Sequence, residues 1–225
     1  STTTKMTVHE GLSELKVLGQ RIEKEIRNAK YVATNKHANT KINGVSVSDF
    51  STNIKSEWDR INDLIERRNA IKRAITKSNA ATSVTITKKD GSTLTMTVAE
   101  LIEYKTIGIQ YIEMLRNNVT VQYERATKDI RDNNGECLEE RADKYVTNLF
   151  GNKDSVSKET IADTRKTYID SNMLDMIDPL DCQSVIRKLN DEIDFYQTKV
   201  DAALSTSNAI TMIEFTTEKE LTVLT

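Results

Sequence analysis

Two short strings occur twice in this chain, and they constrain its fold more than any other feature. Met6-Thr7-Val8-His9-Glu10 returns as Met96-Thr97-Val98-Ala99-Glu100, and Ser78-Asn79-Ala80-Ala81-Thr82 returns as Ser207-Asn208-Ala209-Ile210-Thr211. The first string carries a capping box: the Thr hydroxyl accepts from the amide three residues on, while the Glu reaches back to the Thr N–H, so a helix starts there. The second lies just past an apolar stripe, where an Asn in the left-handed region or its polar side chain closes the last carbonyls. The chain therefore reads as one unit written twice: strand, capped helix, return helix, cap, strand.

Four apolar stripes fill in that unit. Val8, Leu12, Leu15, Gly19, Ile22, Ile26, Ala29 and Ala33 alternate spacings of four and three, the pattern of a helix seam. Val98, Ile102, Lys105, Ile109, Ile112, Leu115, Val119, Tyr123, Ala126 and Ile130 repeat it, and Gly19 and Gly108 fall at nearly equivalent places, where two backbones are expected to approach closely. The return helices carry Ile54, Trp58, Ile61, Leu64, Arg68, Ile71 and Ile75, then Ile186, Leu189, Ile193, Tyr196, Val200, Ala203 and Leu204. The fold class they predict is mainly α: an antiparallel four-helix bundle of long helices with internal duplication, a small antiparallel β-sheet at one end and a helical insertion at the other. Composition agrees, since 37% hydrophobic and 29% charged residues with one Pro suit long helices with narrow seams. The 225 residues are read as a single domain, with repeat halves at 1–88 and 92–215. The expected core gathers Trp58, Ile61, Ile71, Ile112, Ile193 and Val200.

Between the halves, Val84 to Lys88 and Thr93 to Met96 alternate around Asp90-Gly91, a strong hairpin signal. A lone hairpin is marginal, so Thr3 to Met6 and Met212 to Phe215 are expected to pair beside it. Two segments have no repeat. Residues 34–51 form a polar loop with a possible hairpin at Ile42-Asn43-Gly44-Val45, and 133–179 form an insertion of two helices, 136–150 and 157–172, broken at Gly151-Asn152-Lys153-Asp154.

Chemistry-bearing motifs are sparse. His9 sits in a capping box and His37 in a polar loop without metal spacing, so no metal, cofactor or catalytic residues are assigned. Asp178-Pro179 with Asp181 reads as an N-cap, a Pro at the first helical position and an acidic first turn. Glu136, Glu139, Glu140 and Asp143 share a helix face and read as an exposed acidic surface. Cys137 and Cys182 lack a Cys-x-x-Cys partner and are expected as free thiols. Arg67, Arg68, Lys72, Arg73, Lys88 and Lys89 form the most basic stretch, read first as a solvated helix face with Glu57, Asp59, Asp63 and Glu66 close by and alternatively as an anion surface, with Arg68 on the apolar seam needing to snorkel or find a carboxylate. A net charge of -2 implies no bulk attraction to nucleic acid or anionic membrane.

The run Leu64-Ile65-Glu66-Arg67-Arg68-Asn69-Ala70-Ile71-Lys72-Arg73-Ala74-Ile75 with Ser78-Asn79-Ala80, the Thr97-Val98-Ala99-Glu100 helix start, and Glu192-Ile193-Asp194 through Ser207-Asn208-Ala209 resembles the septicolysin-like helical family of bacteria and tailed phages. The resemblance covers most of the chain outside the insertion and implies a phage-associated structural or assembly protein without catalytic residues, held in a phage particle; a cytoplasmic origin is expected because no apolar run approaches the roughly 20 residues of a membrane span and no signal-peptide pattern is present. Self-association or a protein partner is expected to use the insertion, with Tyr145, Leu149, Phe150 and Tyr168 as apolar anchors. The rival readings are a ligand-sequestering or host-factor-binding module and a helical nucleic-acid binder.

Overall fold

The structure is a computed structural model and describes residues 1–151 and 153–218. In chain order it runs β1 (Thr2–Thr7), α1 (Val8–Asn28), β2 (Lys41–Ile42), β3 (Val45–Ser46), α2 (Val47–Ala81), β4 (Ser83–Thr87), β5 (Thr93–Thr97) and α3 (Val98–Glu103). A π-helical segment, Tyr104–Gly108, leads into α4 (Ile109–Asn134), followed by α5 (Glu136–Phe150), α6 (Lys158–Asn172) and α7 (Cys182–Asp194). A second π segment, Phe195–Val200, precedes α8 (Asp201–Ile210) and β6 (Met212–Thr217). The fold is mainly α with two-stranded antiparallel sheets, and the chain divides into two compact units. One comprises Ser1–Thr106 and the chain from Phe195 onward; the other is Ile107–Asp194.

In the first unit the repeated strings form matching joints. Thr7 and Thr97 cap α1 and α3 with complete capping boxes: their N–H groups donate to Glu10 and Glu100 at 2.7 and 2.8 Å, and the Glu amides donate to the Thr hydroxyls at 3.1 and 3.2 Å. Thr82 N–H donates to the Ser78 carbonyl and Thr211 N–H to the Ser207 carbonyl, closing α2 and α8 alike. Each joint then meets the other kind, because Val8 N–H donates to Thr211 O and Val98 N–H to Thr82 O, both at 2.9 Å. These bonds satisfy a first-turn amide that has no partner within its own helix. Asn79 and Asn208 stay helical rather than left-handed, contrary to the expected Asn cap. The chain leaves straight into a strand from an extended Thr, so no left-handed turn is needed.

The β1–β6 and β4–β5 sheets each take one strand from each repeat half. β1 pairs with β6, Thr7 opposite Met212, and β4 pairs with β5, Ser83 opposite Thr97. The expected strand pairings form, but as separate ribbons rather than one sheet. The reason is that each ribbon lays its apolar alternates on its own helix, β6 against α2 and β4 against α8. Ile213, Phe215 and Ile86 are the buried members.

The core of this unit joins Val8, Leu18, Leu64, Ala70, Ile71, Ile75, Ile213 and Phe215. The close approach falls at Gly11, where a Cβ would lie 3.1 Å from Ile213 and 3.2 Å from Ile75, whereas one at Gly19 would meet nothing. The α1 seam accordingly follows Val8, Gly11, Leu15, Leu18 and Ile22, and Leu12 is exposed. α1 stops at Asn28, short of the expected Ala33, and α2 starts at Val47 under a Ser46 cap, inside the segment read as loop. Asn43 and Gly44, with φ of 51° and 83°, turn the β2–β3 hairpin between them. At this end of α2 the side chains turned toward the end of α1 are those of Arg60, whose Nη2 lies 2.6 Å from Glu25, and Glu57, which accepts from the Lys30 N–H at 3.3 Å. Trp58 is therefore exposed, against the expectation that it joins the core.

The second unit pairs α4 antiparallel with α7: Arg116 donates to Asn190 and Gln183 to the Tyr123 hydroxyl, both at 2.8 Å. Ile193 is buried and Ile112 half-buried. The insertion is a helical hairpin of α5 and α6, as expected, with Leu138, Ala142 and Val146 buried on α5. Asn152 of its break lies outside the described residues. The acidic face of α5 has a structural use, since Arg165 of α6 lies 2.8 Å from Asp143 and 3.8 Å from Glu139. Asp143 beside it raises the Arg165 pKa further above its ordinary value. α7 begins at Cys182, later than the Pro179 start read from sequence. Asp178 accepts the Cys182 N–H, and Asp181, at φ 52°, caps toward Ser184, whose hydrogen bonds hold the Asp181 carboxyl below the usual carboxylate range.

The duplicated caps give a testable pH dependence. Hydrogen bonds from Thr7 and Thr97 hold the Glu10 and Glu100 carboxyls below their ordinary range. A lowered folded-state pKa adds stability that is complete above the unfolded value and is lost as the pH falls through the folded one. The Thr7→Ala/Thr97→Ala variant is expected to lose about 1 kcal/mol per cap at neutral pH. The gap between its urea midpoint and that of the native chain should narrow as the solution is acidified below the glutamate range.

Candidate functional site

The basic stretch is not presented to solvent as a whole. Arg67, not Arg68, faces inward: its side chain forks onto Glu14, with Nη2 3.1 Å from Oε2, and its guanidinium sits 5.4 Å from the Phe215 ring centroid. Arg68 is exposed and donates to Asn69. Lys72 and Arg73 lie on the exposed side of α2, and Arg73 lines a narrow groove whose rim includes Glu214, itself paired with Lys5 at 3.1 Å. Lys88 lies at the base of the β4–β5 turn with Nζ 5.9 Å from the Phe195 ring, and Lys89 is in the turn itself. Of the six cations, Arg67 is thus neutralised by Glu14, and Arg68, Lys72, Arg73, Lys88 and Lys89 are exposed.

No group of three or more His, Cys, Asp or Glu able to hold a metal occurs among the described residues. His9 and His37 are both exposed, and Cys137 and Cys182 are free thiols. Hydrogen bonding to Asp178 and partial burial push the Cys182 thiol pKa up, away from a reactive thiolate.

The exposed apolar surfaces are better built. On the insertion, α5 turns Leu138, Ala142 and Val146 inward at helical spacing, which carries Tyr145 and Leu149 to the outside. Tyr145 stacks on Tyr168 of α6 with centroids 4.8 Å apart and planes at 28°. A groove of about 420 Å³ opens beside the pair, lined by Tyr145, Asp163, Thr164, Thr167, Tyr168 and Ser171. Phe150 and Tyr168 are half-buried, so of the four expected anchors two face solvent and two are partly covered.

The other surface was not read as a site from sequence. Tyr31 packs edge-on to Trp58, centroids 6.2 Å apart, and donates its hydroxyl to the Ile26 carbonyl at 2.9 Å. Tyr31, Ile54, Lys55, Trp58 and Asp59 line a second groove of about 410 Å³. Seam spacing placed Trp58 in the core, but Glu57 and Arg60 are the residues of α2 that meet Lys30 and Glu25, and Trp58 is left exposed beside them. Searches of protein-family models, curated proteins and solved structures find nothing that matches this chain.

Proposed function

We propose that the chain is a non-enzymatic structural or assembly protein that acts through protein–protein contacts, and that it is phage-associated. The observation that carries the reading is the balance of apolar side chains: among the described residues, 24 large hydrophobics are exposed against 20 buried hydrophobics in the core. Scattered exposed apolar residues are ordinary, but grouped ones mark contact surfaces. Here they group, as Tyr31 with Trp58 and as Tyr145 with Leu149. The resemblance to the septicolysin-like family supplies the phage association. Tyr145 and Leu149 are the anchors offered to the partner, with Tyr168 and Phe150 supporting them from the hairpin.

Sedimentation velocity and negative-stain electron microscopy test this directly. A defined oligomer or larger assembly is expected at about 100 μM, well above the micromolar Kd that about 8 kcal/mol of binding supplies. A chain that remains monomeric at that concentration overturns the reading. Replacing residues 136–172 by a short Gly/Ser linker should leave the remaining helices intact by circular dichroism and remove the larger assembly. Assembly unchanged by that replacement would remove the insertion from the contact.

A further inference from the structure

Helix α4 carries two apolar stripes. One, through Ile109, Ile112, Val119 and Tyr123, is buried or half-buried on the side where α7 lies. The other is Tyr111, Met114, Asn118 and Val121, preceded by Ile107 of the π segment that leads into α4, at successive spacings of four, three, four and three. Its apolar members are 51, 68, 60 and 56% exposed, in chain order from Ile107, and Asn118 is exposed among them. Alternating fours and threes are a heptad seam, a pattern that makes sense against another helix.

We propose that this second seam is an interface with a second copy of the chain, the two α4 helices crossing antiparallel about Met114; the inference rests on the reading of the chain as an assembly protein. Charge is what selects a second copy as the occupant. The positions flanking the seam are Gln110, Leu115, Asn117 and Gln122, all uncharged, so two copies meet without like charges opposed. A partner helix with charged flanks would find no counter-charge there. Charge also selects the direction. A parallel pair would set Arg125 against Arg125 and Glu124 against Asp129, whereas an antiparallel pair carries both copies of that end apart. Antiparallel pairing sets Ile107 against Val121 and Met114 against Met114, and brings Asn118 within about 1.5 Å of rise of the level of Tyr111, where its amide can donate to the phenol oxygen. The contact is isologous and closes as a twofold dimer.

The experiment uses the full chain. Met114→Lys places two ammonium groups at the centre of the seam and should weaken the dimer by at least about tenfold in Kd in sedimentation velocity, with the far-UV circular dichroism of the native chain. Independently, in a Cys137→Ser/Cys182→Ser background, Met114→Cys should form a disulfide-linked homodimer under mild oxidation. Ile107→Cys should cross-link with Val121→Cys when the two variants are mixed. A native chain that assembles while Met114→Lys leaves its Kd unchanged and the cysteines fail to link overturns the seam and leaves the assembly reading standing. A native chain that stays monomeric overturns both. Cross-linking of Ile107→Cys to itself in place of the mixed pair overturns the antiparallel arrangement.

Discussion

Glu14→Ala is expected to destabilise the protein by about 3 kcal/mol, a large cost for one surface-rim carboxylate. Its partner Arg67 has a side chain only 11% exposed, while the Glu14 side chain keeps 25%, so the substitution strands a guanidinium against the Phe215 ring. Removing one partner of a buried pair typically costs roughly 3 to 5 kcal/mol, and the partial exposure of Glu14 puts this case at the low end. Removing the charge with its partner should cost much less, because a hydrophobic replacement of similar volume is often neutral. The second half of the chain carries out that replacement: counting from the Thr7 and Thr97 joints, Tyr104 takes the place of Glu14, and counting from the Ser78 and Ser207 joints, Tyr196 takes the place of Arg67. Tyr104 and Tyr196 stack with centroids 5.7 Å apart. The double variant Glu14→Leu/Arg67→Met should therefore recover most of the loss in urea midpoint. A single Glu14→Ala variant within about 0.5 kcal/mol of the native chain, the range of a neutral surface change, would show that the pair contributes little.

Ile71→Ala is expected to cost about 3 to 4 kcal/mol, within the range for emptying a fully buried aliphatic site. Ile71 has no exposed surface and lies beside Gly11, where a Cβ would come 3.4 Å from its Cγ2. Two helices and a strand meet at that point, so the cavity cannot collapse without moving backbone. Val200, at the equivalent place before the second joint, is also fully buried, and Val200→Ala should cost less because fewer methyl groups are lost. Trp58→Ala, on an exposed edge, should leave the urea midpoint nearly unchanged. Urea denaturation of the three variants checks the order, and an Ile71→Ala midpoint equal to that of Trp58→Ala would contradict this account of the core.

What could be read without coordinates was whatever neighbouring residues decide among themselves. Thr7-Val8-His9-Glu10 and Thr97-Val98-Ala99-Glu100 close their own capping boxes, Asp90-Gly91 and Asn43-Gly44 turn their own hairpins, and the α5–α6 insertion follows from helical spacing on either side of Gly151. These features need three or four consecutive residues and no distant partner. Everything that depended on a partner helix had to wait for the tertiary structure. Leu64, Arg68 and Ile71 make as regular a seam as Leu64, Arg67 and Ile71, and only Glu14 on α1 decides that Arg67 turns inward. Gly11 and Gly19 are equally good candidates for close approach until Ile213 of β6 is placed above the first. Trp58 satisfies the apolar period of α2, yet Glu57 and Arg60 are the residues that pair with Lys30 and Glu25, which leaves Trp58 on the exposed edge. Periodicity states which side of a helix is apolar; which of two apolar sides is covered, and by what, is a property of lengths and partners that lie far away along the chain.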